Sequence, residues 1–385
     1  MRKKKLAIFA EKLYGGGVER ILQTVLRNLD YNKYDVSLYS SHAEDIDPAF
    51  YPVNLKNTSY FSSTGVNATK LSRLTTKIIN KIKLLIYYHC PSSVFYKLFI
   101  RRRFDISIAF LEGYATRIVS GAHRNTKKIA WLHTDIINYH WTNVAFRSSD
   151  EEKSCYQQFS KIVCVAESVK SQADKYLNTE RSTTVIYNPI DRERLLELAE
   201  ERVDDAEGLK KYKTQLLIVG TLNKNKGQLR LLHALAELLK KDSEIGLWIV
   251  GDGEYRNLIQ ETIAELKLKD HVALLGFQKN PYPFYKKCDI YVCASYAEGF
   301  NTAITEALIF GKPVVATLCS GVEEQLGRGC EYGLIANNDD ECLYKRIEQM
   351  LNPQTLAYYR QKSEERGQRF CISESMKKID ALLQI

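Results

Sequence analysis

Residues 290–317 run Ile290-Tyr-Val-Cys-Ala-Ser295-Tyr-Ala-Glu298-Gly-Phe-Asn301-Thr-Ala-Ile-Thr-Glu306-Ala-Leu-Ile-Phe-Gly311-Lys-Pro313-Val-Val-Ala-Thr317. The apolar run Ile290–Ser295 reads as a buried strand. Asn301 and Thr302 are both good N-cap types, so a helix begins at one of them. Gly311 closes that helix and Pro313 bars its continuation. A second apolar run, 313–317, gives the next strand. The unit is therefore strand–loop–helix–strand, which implies parallel strands. Backbone N–H groups at the helix start favour a diphosphate. Glu298 lies in the loop before the helix and Glu306 within it. If the segment were wholly helical, the two carboxylates would lie about 12 Å apart along the axis. A loop that folds back brings both to one ligand.

The same alternation extends in both directions. Upstream, strands are expected at 6–10, 36–39, 106–110, 128–133, 162–166 and 184–188, with Val18, Ile21, Leu22, Val25, Leu26 and Leu29 at helical spacing between the first two. Further strands are expected at 216–220, 247–251 and 272–276. The charged stretch 191–213 interrupts the pattern and reads as a helix or linker. The expected fold is α/β, with two doubly wound Rossmann-like domains facing a central cleft. The expected domains are 1–190, a linker 191–213, and 214–365, followed by a C-terminal helix 366–385 that packs back on the first domain. A length of 385 residues suits two domains.

The composition, 45% hydrophobic and 26% charged, is that of a globular enzyme. The basic start Met1–Lys5 precedes an apolar run that stops at Glu11, too short for a signal peptide. The chain is accordingly expected in the cytosol. Its nine cysteines form no Cys-x-x-Cys pair and several sit in apolar runs, which points to small buried side chains rather than zinc or disulfides.

Around the decisive carboxylates, Glu298-Gly-Phe and Glu306-Ala-x-x-x-Gly-Lys-Pro-Val-Val-Ala resemble the retaining GT-B glycosyltransferases of family 4. The resemblance implies that Glu306 holds the ribose hydroxyls of a nucleotide-sugar donor. It implies that Glu298 contacts the donor sugar, with Asn301 beside it, and that the amides of Gly299 and Phe300 support the diphosphate. Upstream, Gly220-Thr-Leu-Asn-Lys224-Asn-Lys226-Gly227 resembles the family's phosphate loop. Lys226 matches the lysine that neutralises the diphosphate, while Thr221 stands where the family often has arginine; Lys224 is a candidate replacement. Phe277 and Gln278 fall where the family cradles the base, although Phe277 reads equally well as core. Gly251-Asp-Gly253 reads as a tight turn, and Gly321 with Glu324 match a pattern taken as structural.

In the first half, Gly15-Gly16-Gly17-Val-Glu19 opens the first helix. There the resemblance has Gly16 and Gly17 close over the donor phosphates or the acceptor. A Rossmann Gly-x-Gly-x-x-Gly and a Walker lysine are both absent, which argues against a dehydrogenase or ATPase. His133, at a strand end, matches a family histidine placed against the donor sugar, or is structural; Asp135 either assists it or caps the next helix. The catalytic set implied is Glu298, His133 and Lys226. Asp45-Ile-Asp47 is read as a coincidental Asp-x-Asp. No metal and no cofactor are expected, the nucleotide-sugar being a substrate.

From Pro48 to Phe104 there is no Asp or Glu, although the whole chain carries only +9. Leu71, Leu74, Ile78, Ile82 and Leu85 form one stripe of a helix, and Lys70, Arg73, Lys77 and Lys81 another. Such a helix either lies on anionic membrane, through residues 68–103, or packs its apolar stripe on the domain. Tyr60, Tyr87, Tyr88 and Phe95 interleave with the basic residues, but no nucleic-acid motif accompanies them and no nucleic-acid partner is expected. The implied reaction moves a hexose or N-acetylhexosamine, from UDP rather than GDP, to a glycan or lipid-linked glycan of a surface polysaccharide. Two rival readings remain, a non-catalytic partner subunit and a nucleotide-sugar 2-epimerase.

Overall fold

The computed structural model describes residues 2–41, 47–48, 51–52, 55–61, 70–179, 182–202 and 211–384. The chain divides into two compact units, Met1–Pro189 with Ser373–Ile385, and Ile190–Ile372.

Unit 1 holds strands β1 (Lys4–Phe9), β2 (Tyr34–Ser40), β3 (Lys56–Ser59), β4 (Ile106–Ala109), β5 (Lys127–Leu132), β6 (Lys161–Cys164) and β7 (Thr183–Val185). They form one sheet in the order β3-β2-β1-β4-β5-β6-β7, every pair parallel. Parallel strands are covered on both faces, which is why Leu6–Phe9 and Ile129–Leu132 are continuous apolar runs with essentially no exposure. Helix Gly17–Asn28 buries Ile21, Leu22, Val25 and Leu26. Each such side chain contributes about 1.5–3 kcal/mol. The direction of winding reverses between β1 and β4, so the sheet's switch point lies beyond their carboxyl ends.

Unit 2 repeats the plan with β8 (Thr214–Val219), β9 (Ile245–Val250), β10 (Val272–Gly276), β11 (Ile290–Cys293), β12 (Val314–Thr317) and β13 (Leu334–Ala336). The order is β10-β9-β8-β11-β12-β13, again all parallel. Its switch point lies between β8 and β11, whose Leu216 and Leu217 face Ile290 and Tyr291. Leu216, Ile218, Leu231, Leu235, Leu247, Ile249 and Val292 build the core.

Several expectations need correction. Of the two readings of 191–213, helix or linker, the helix holds for its first part: Arg192–Leu198 is a helix of unit 2, capped by Asp191. Residues 203–210 lie outside the described residues. The expected C-terminal helix 366–385 is broken, because one helix ends at Gly367 and another begins at Ile372. That last helix belongs to unit 1, where Lys4 Nζ donates to the Gln384 carbonyl at 3.3 Å and Lys33 pairs with Asp380 at 3.7 Å. The basic helix spans Lys70–His89. Its stripe residues Leu74, Ile78, Ile82 and Leu85 stay exposed, at 49–59%, so that face is not packed on the domain. The neighbouring aromatics behave differently. Tyr60, Tyr87 and Phe95 are buried, and Phe61, Tyr87 and Phe95 pack edge to face. They are core rather than platforms for stacking bases.

Candidate functional site

In unit 2 the loops after β8 and β11 meet at the switch point. Asn225 straps them together: its Nδ2 donates to the Ala297 carbonyl at 2.8 Å, its Oδ1 accepts from Ala297 N, and its carbonyl accepts from Tyr296 N. Gly227 makes this approach possible. Its φ is +67°, and a Cβ there would sit 1.9 Å from the Ala294 carbonyl oxygen. The turn before it, Lys224–Lys226, is capped by Asn223.

This strapping delivers Lys226 to Glu298. Lys226 Nζ lies 2.7 Å from Glu298 Oε1. The same oxygen accepts from Ser295 Oγ at 2.6 Å and from Asn301 Nδ2 at 3.0 Å. Burial pulls the Lys226 pKa down, but attraction to Glu298 more than offsets this and leaves it raised. The ammonium therefore stays charged, with its side chain about a quarter exposed (27%). Asn301 is the N-cap of helix Thr302–Ile309, its Oδ1 accepting from Ala303 N at 2.9 Å and Ile304 N at 3.4 Å. Its side chain thus bridges the cap of this helix and the Glu298 carboxylate. Glu306 lies in this helix, nearly buried, and receives the Tyr282 hydroxyl at 3.4 Å. Because the helix starts only at Thr302, the loop before it accounts for half the spacing and the wholly helical rise does not apply.

Gly299 and Phe300 complete the loop. Gly321, with φ +79°, lies close against them, since a Cβ there would come within 2.5 Å of the Gly299 carbonyl oxygen. That accounts for the structural part of Gly321. Glu324 offers its carbonyl to Arg366. Lys224 is exposed and makes no ion pair among the described residues, and Thr221 accepts at its carbonyl from Gln228. Phe277, just past β10, is 55% exposed, so it is not core; Gln278 Nε2 donates to the Leu275 carbonyl.

Gly16, Gly17 and His133 belong to unit 1. Gly16 is the N-cap of the first helix, and a Cβ on it would meet the Glu19 carboxylate at 2.4 Å. The glycine makes room for Glu19 as much as for any ligand. His133 is buried, and burial drives its pKa down to about 3, with only a hydrogen bond to the Phe110 backbone opposing. Its Nε2 has no partner among the described residues. Asp135 does not assist it. That carboxylate instead accepts from Ile137 N, Asn138 N and Asn138 Nδ2, capping the following turn. A neutral imidazole can orient or hydrogen-bond a sugar, but it is no proton donor at ordinary pH.

Sequence reasoning missed two carboxylates of unit 1. Glu112, after β4, is buried and accepts from His133 N at 3.0 Å and Thr134 Oγ1 at 2.6 Å; burial raises its pKa. Glu11, after β1, accepts from Tyr114 N, and burial raises it to about 7. Only their place at the switch point marks them, and that requires the strand order. Among the described residues no group of His, Cys, Asp and Glu is arranged to hold a metal ion; Asp45 of the Asp-x-Asp lies outside them.

Comparison with known proteins agrees in both units. The model described as Glycosyltransferase Family 4 matches residues 15–194, and that described as Glycosyl transferases group 1 matches residues 199–369. The N-acetylgalactosamine-N,N'-diacetylbacillosaminyl-diphospho-undecaprenol 4-alpha-N-acetylgalactosaminyltransferase of Campylobacter jejuni is 32% identical over 189 residues, 48% of this chain and 49% of that protein. The lipopolysaccharide core biosynthesis glycosyltransferase LpsE of Rhizobium meliloti is 30% identical over 156 residues, 40% of this chain and 45% of that protein. The chain spans about half the length of the curated relatives it matches. Among solved structures, Anabaena HepE in complex with UDP-glucose superposes over 99% of both chains with a TM-score of 0.75 at 19% identity, a likeness of fold, the GT-B fold of two Rossmann-like domains. With the two family models matched in chain order across both units, the chain belongs to glycosyltransferase family 4.

Proposed function

We propose that the chain is a retaining, metal-independent glycosyltransferase that moves a hexose or N-acetylhexosamine from a nucleotide-sugar, UDP- rather than GDP-linked, to a glycan or lipid-linked glycan in surface polysaccharide assembly. The observation that carries this reading is the meeting of Lys226 with Glu298 at the switch point of unit 2, beside the start of the helix that bears Glu306. The lysine and the helix N-terminus supply positive charge where a leaving diphosphate gains negative charge. Glu298, held by Lys226, Ser295 and Asn301, takes hydroxyls of the donor sugar. Glu306 takes the ribose, with exposed Phe277 against the base. The acceptor hydroxyl attacks the anomeric carbon on the face from which the diphosphate departs, the bond to the diphosphate breaking and the hydroxyl proton passing to the departing diphosphate oxygen, so the linkage is retained. The C. jejuni relative, named for a diphospho-undecaprenol acceptor, and HepE, solved with UDP-glucose, support the acceptor and donor classes.

The exposed apolar face of helix Lys70–His89, with exposed Lys77 and Lys81, supports peripheral contact through residues 68–103 with the inner face of a cell membrane. No helix among the described residues is long and apolar enough to cross one.

Thermal unfolding with UDP, GDP and ADP, each with and without EDTA, tests the donor site. A ligand at a hundred times its Kd stabilises by about 2.7 kcal/mol, or a few degrees in Tm. A shift with UDP, indifferent to EDTA and lost in Glu306→Ala, is expected. No shift with any nucleotide overturns the reading.

A further inference from the structure

We propose that unit 1 carries a second binding site, for a phosphate-bearing ligand, in a pocket at the amino-terminal ends of β4, β5 and β6. The pocket is about 1150 Å³ and is lined by Lys97, Arg101, Arg103, Arg124 and Lys128. Arg103 precedes β4, Lys128 lies at the start of β5, and Ser160 in the same wall precedes β6. The site therefore lies at the opposite end of the sheet from Glu11, Glu112 and His133.

The charge in this pocket is unbalanced. Among the described residues Glu151 is the one carboxylate in its lining, and it is already engaged. Its Oε1 accepts from the fully buried Arg117 at 2.8 Å and from Arg147 at 2.6 Å. The other cations form no ion pair among the described residues. Lys128 is the most telling of them. It is only 6% exposed, yet its ammonium has one partner, the Ser120 carbonyl at 2.7 Å, at the end of helix Tyr114–Ser120. Capping that helix uses one of the three donors of an ammonium and brings no counter-charge. A buried cation without an anion is costly, and a ligand that supplies one is bound in proportion.

Guanidinium groups and an ammonium lining one pocket suit the oxygens of a phosphate, which several donors can share. Two sources of that chemistry fit, a soluble phosphoester and the headgroup of an anionic lipid. The second has support in the chain itself, because the Lys97–Arg103 wall follows directly on helix Lys70–His89 with its exposed apolar face.

The test uses the full chain, the triple variant Arg101→Ser/Arg103→Ser/Arg124→Ser, and Lys128→Met. The three arginines are exposed, so the triple variant is expected to fold. Calorimetric titration with glycerol 3-phosphate and with inorganic phosphate probes the soluble source. Flotation on phosphatidylcholine vesicles with and without phosphatidylglycerol probes the lipid source. Binding to either probe by the parent chain, weakened about tenfold or more in the triple variant and in Lys128→Met, is the expected result. Which probe binds names the source. Absence of binding to both, or binding unchanged in the triple variant, overturns the proposal. The UDP-dependent shift in Tm should be the same in the parent and triple variant. Its absence from both would count against the transferase reading and leave the phosphate site standing.

Discussion

Asn301 divides its side chain between two tasks, and substitution can separate them. Its oxygen caps the helix carrying Glu306, and its nitrogen donates to Glu298. Asn301→Ala should lower stability by about 1 kcal/mol, read by urea unfolding, and also lower turnover. Asn301→Asp keeps the cap but sets a second carboxylate against Glu298. It should lower stability through carboxylate repulsion rather than loss of the cap, a loss that shrinks as pH falls and one carboxylate takes a proton, while turnover falls about tenfold or more. Equal turnover in Asn301→Asp and parent would show that the donation does not matter. Glu11 offers a second residue-scale prediction, in pH. Burial raises its pKa from 4.5 to about 7, so between those values the folded state holds a proton that the unfolded state has lost. Its contribution is fully present below about 4.5 and is lost as pH rises through 7. Glu11→Gln should therefore gain stability relative to the parent on going from about pH 5 to about pH 8. His133 acts in the other sense. Its folded pKa of about 3 lies below the usual 6.5, so stability present above 6.5 is lost as pH falls toward 3. At this scale Glu298, Glu306 and Lys226 were legible, because their neighbours spell a pattern along the chain. Asn225 and Glu112 were not, since their partners lie far away in sequence; Ser295 read only as the end of a strand, although its partner Glu298 is three residues on.

Among elements, legibility followed burial. Strands covered on both faces read as unbroken apolar runs, and most were placed to within a residue or two. The strand Lys56–Ser59 was missed because it is a polar edge, Lys-Asn-Thr-Ser, with no alternation to detect. Leu334–Ala336 was missed because three residues carry no period. The helix Lys70–His89 was found, but its period could not say whether the apolar face would be covered. Its exposure makes a mutational contrast. Ile78→Ser with Ile82→Ser should change stability by no more than about 0.5 kcal/mol each, yet abolish flotation on anionic vesicles if the face meets lipid. Phe95→Ala, just beyond the helix and buried among Phe61, Tyr87 and Phe99, should cost about 3–5 kcal/mol. Urea unfolding and flotation of the three variants separate packing from docking.

For the molecule as a whole, repetition of one parallel-sheet plan was the strongest signal, and it placed the candidate residues in the segments that follow the carboxyl ends of strands. What the sequence could not tell was strand order, and so which loops would share a switch point. The two units give a prediction that local readings cannot. Hydrogen exchange with and without UDP should show added protection in 220–228, 276–278 and 295–306 of unit 2. The strands of unit 1 should change far less. Protection spread evenly over both sheets would contradict a donor site built from unit 2 loops.

Helix Ile372–Gln384 lies with unit 1, although a complete second unit separates it in the chain from the rest of that unit. During synthesis the amino-terminal sheet emerges first but stays without this helix while the whole of unit 2 is translated. The unit begun first is thus finished last, and in the interval Lys4, Lys33 and Lys127 have no helix to hold. A chain cut just short of Ser373 would keep every residue of the second unit and leave the first without its last helix.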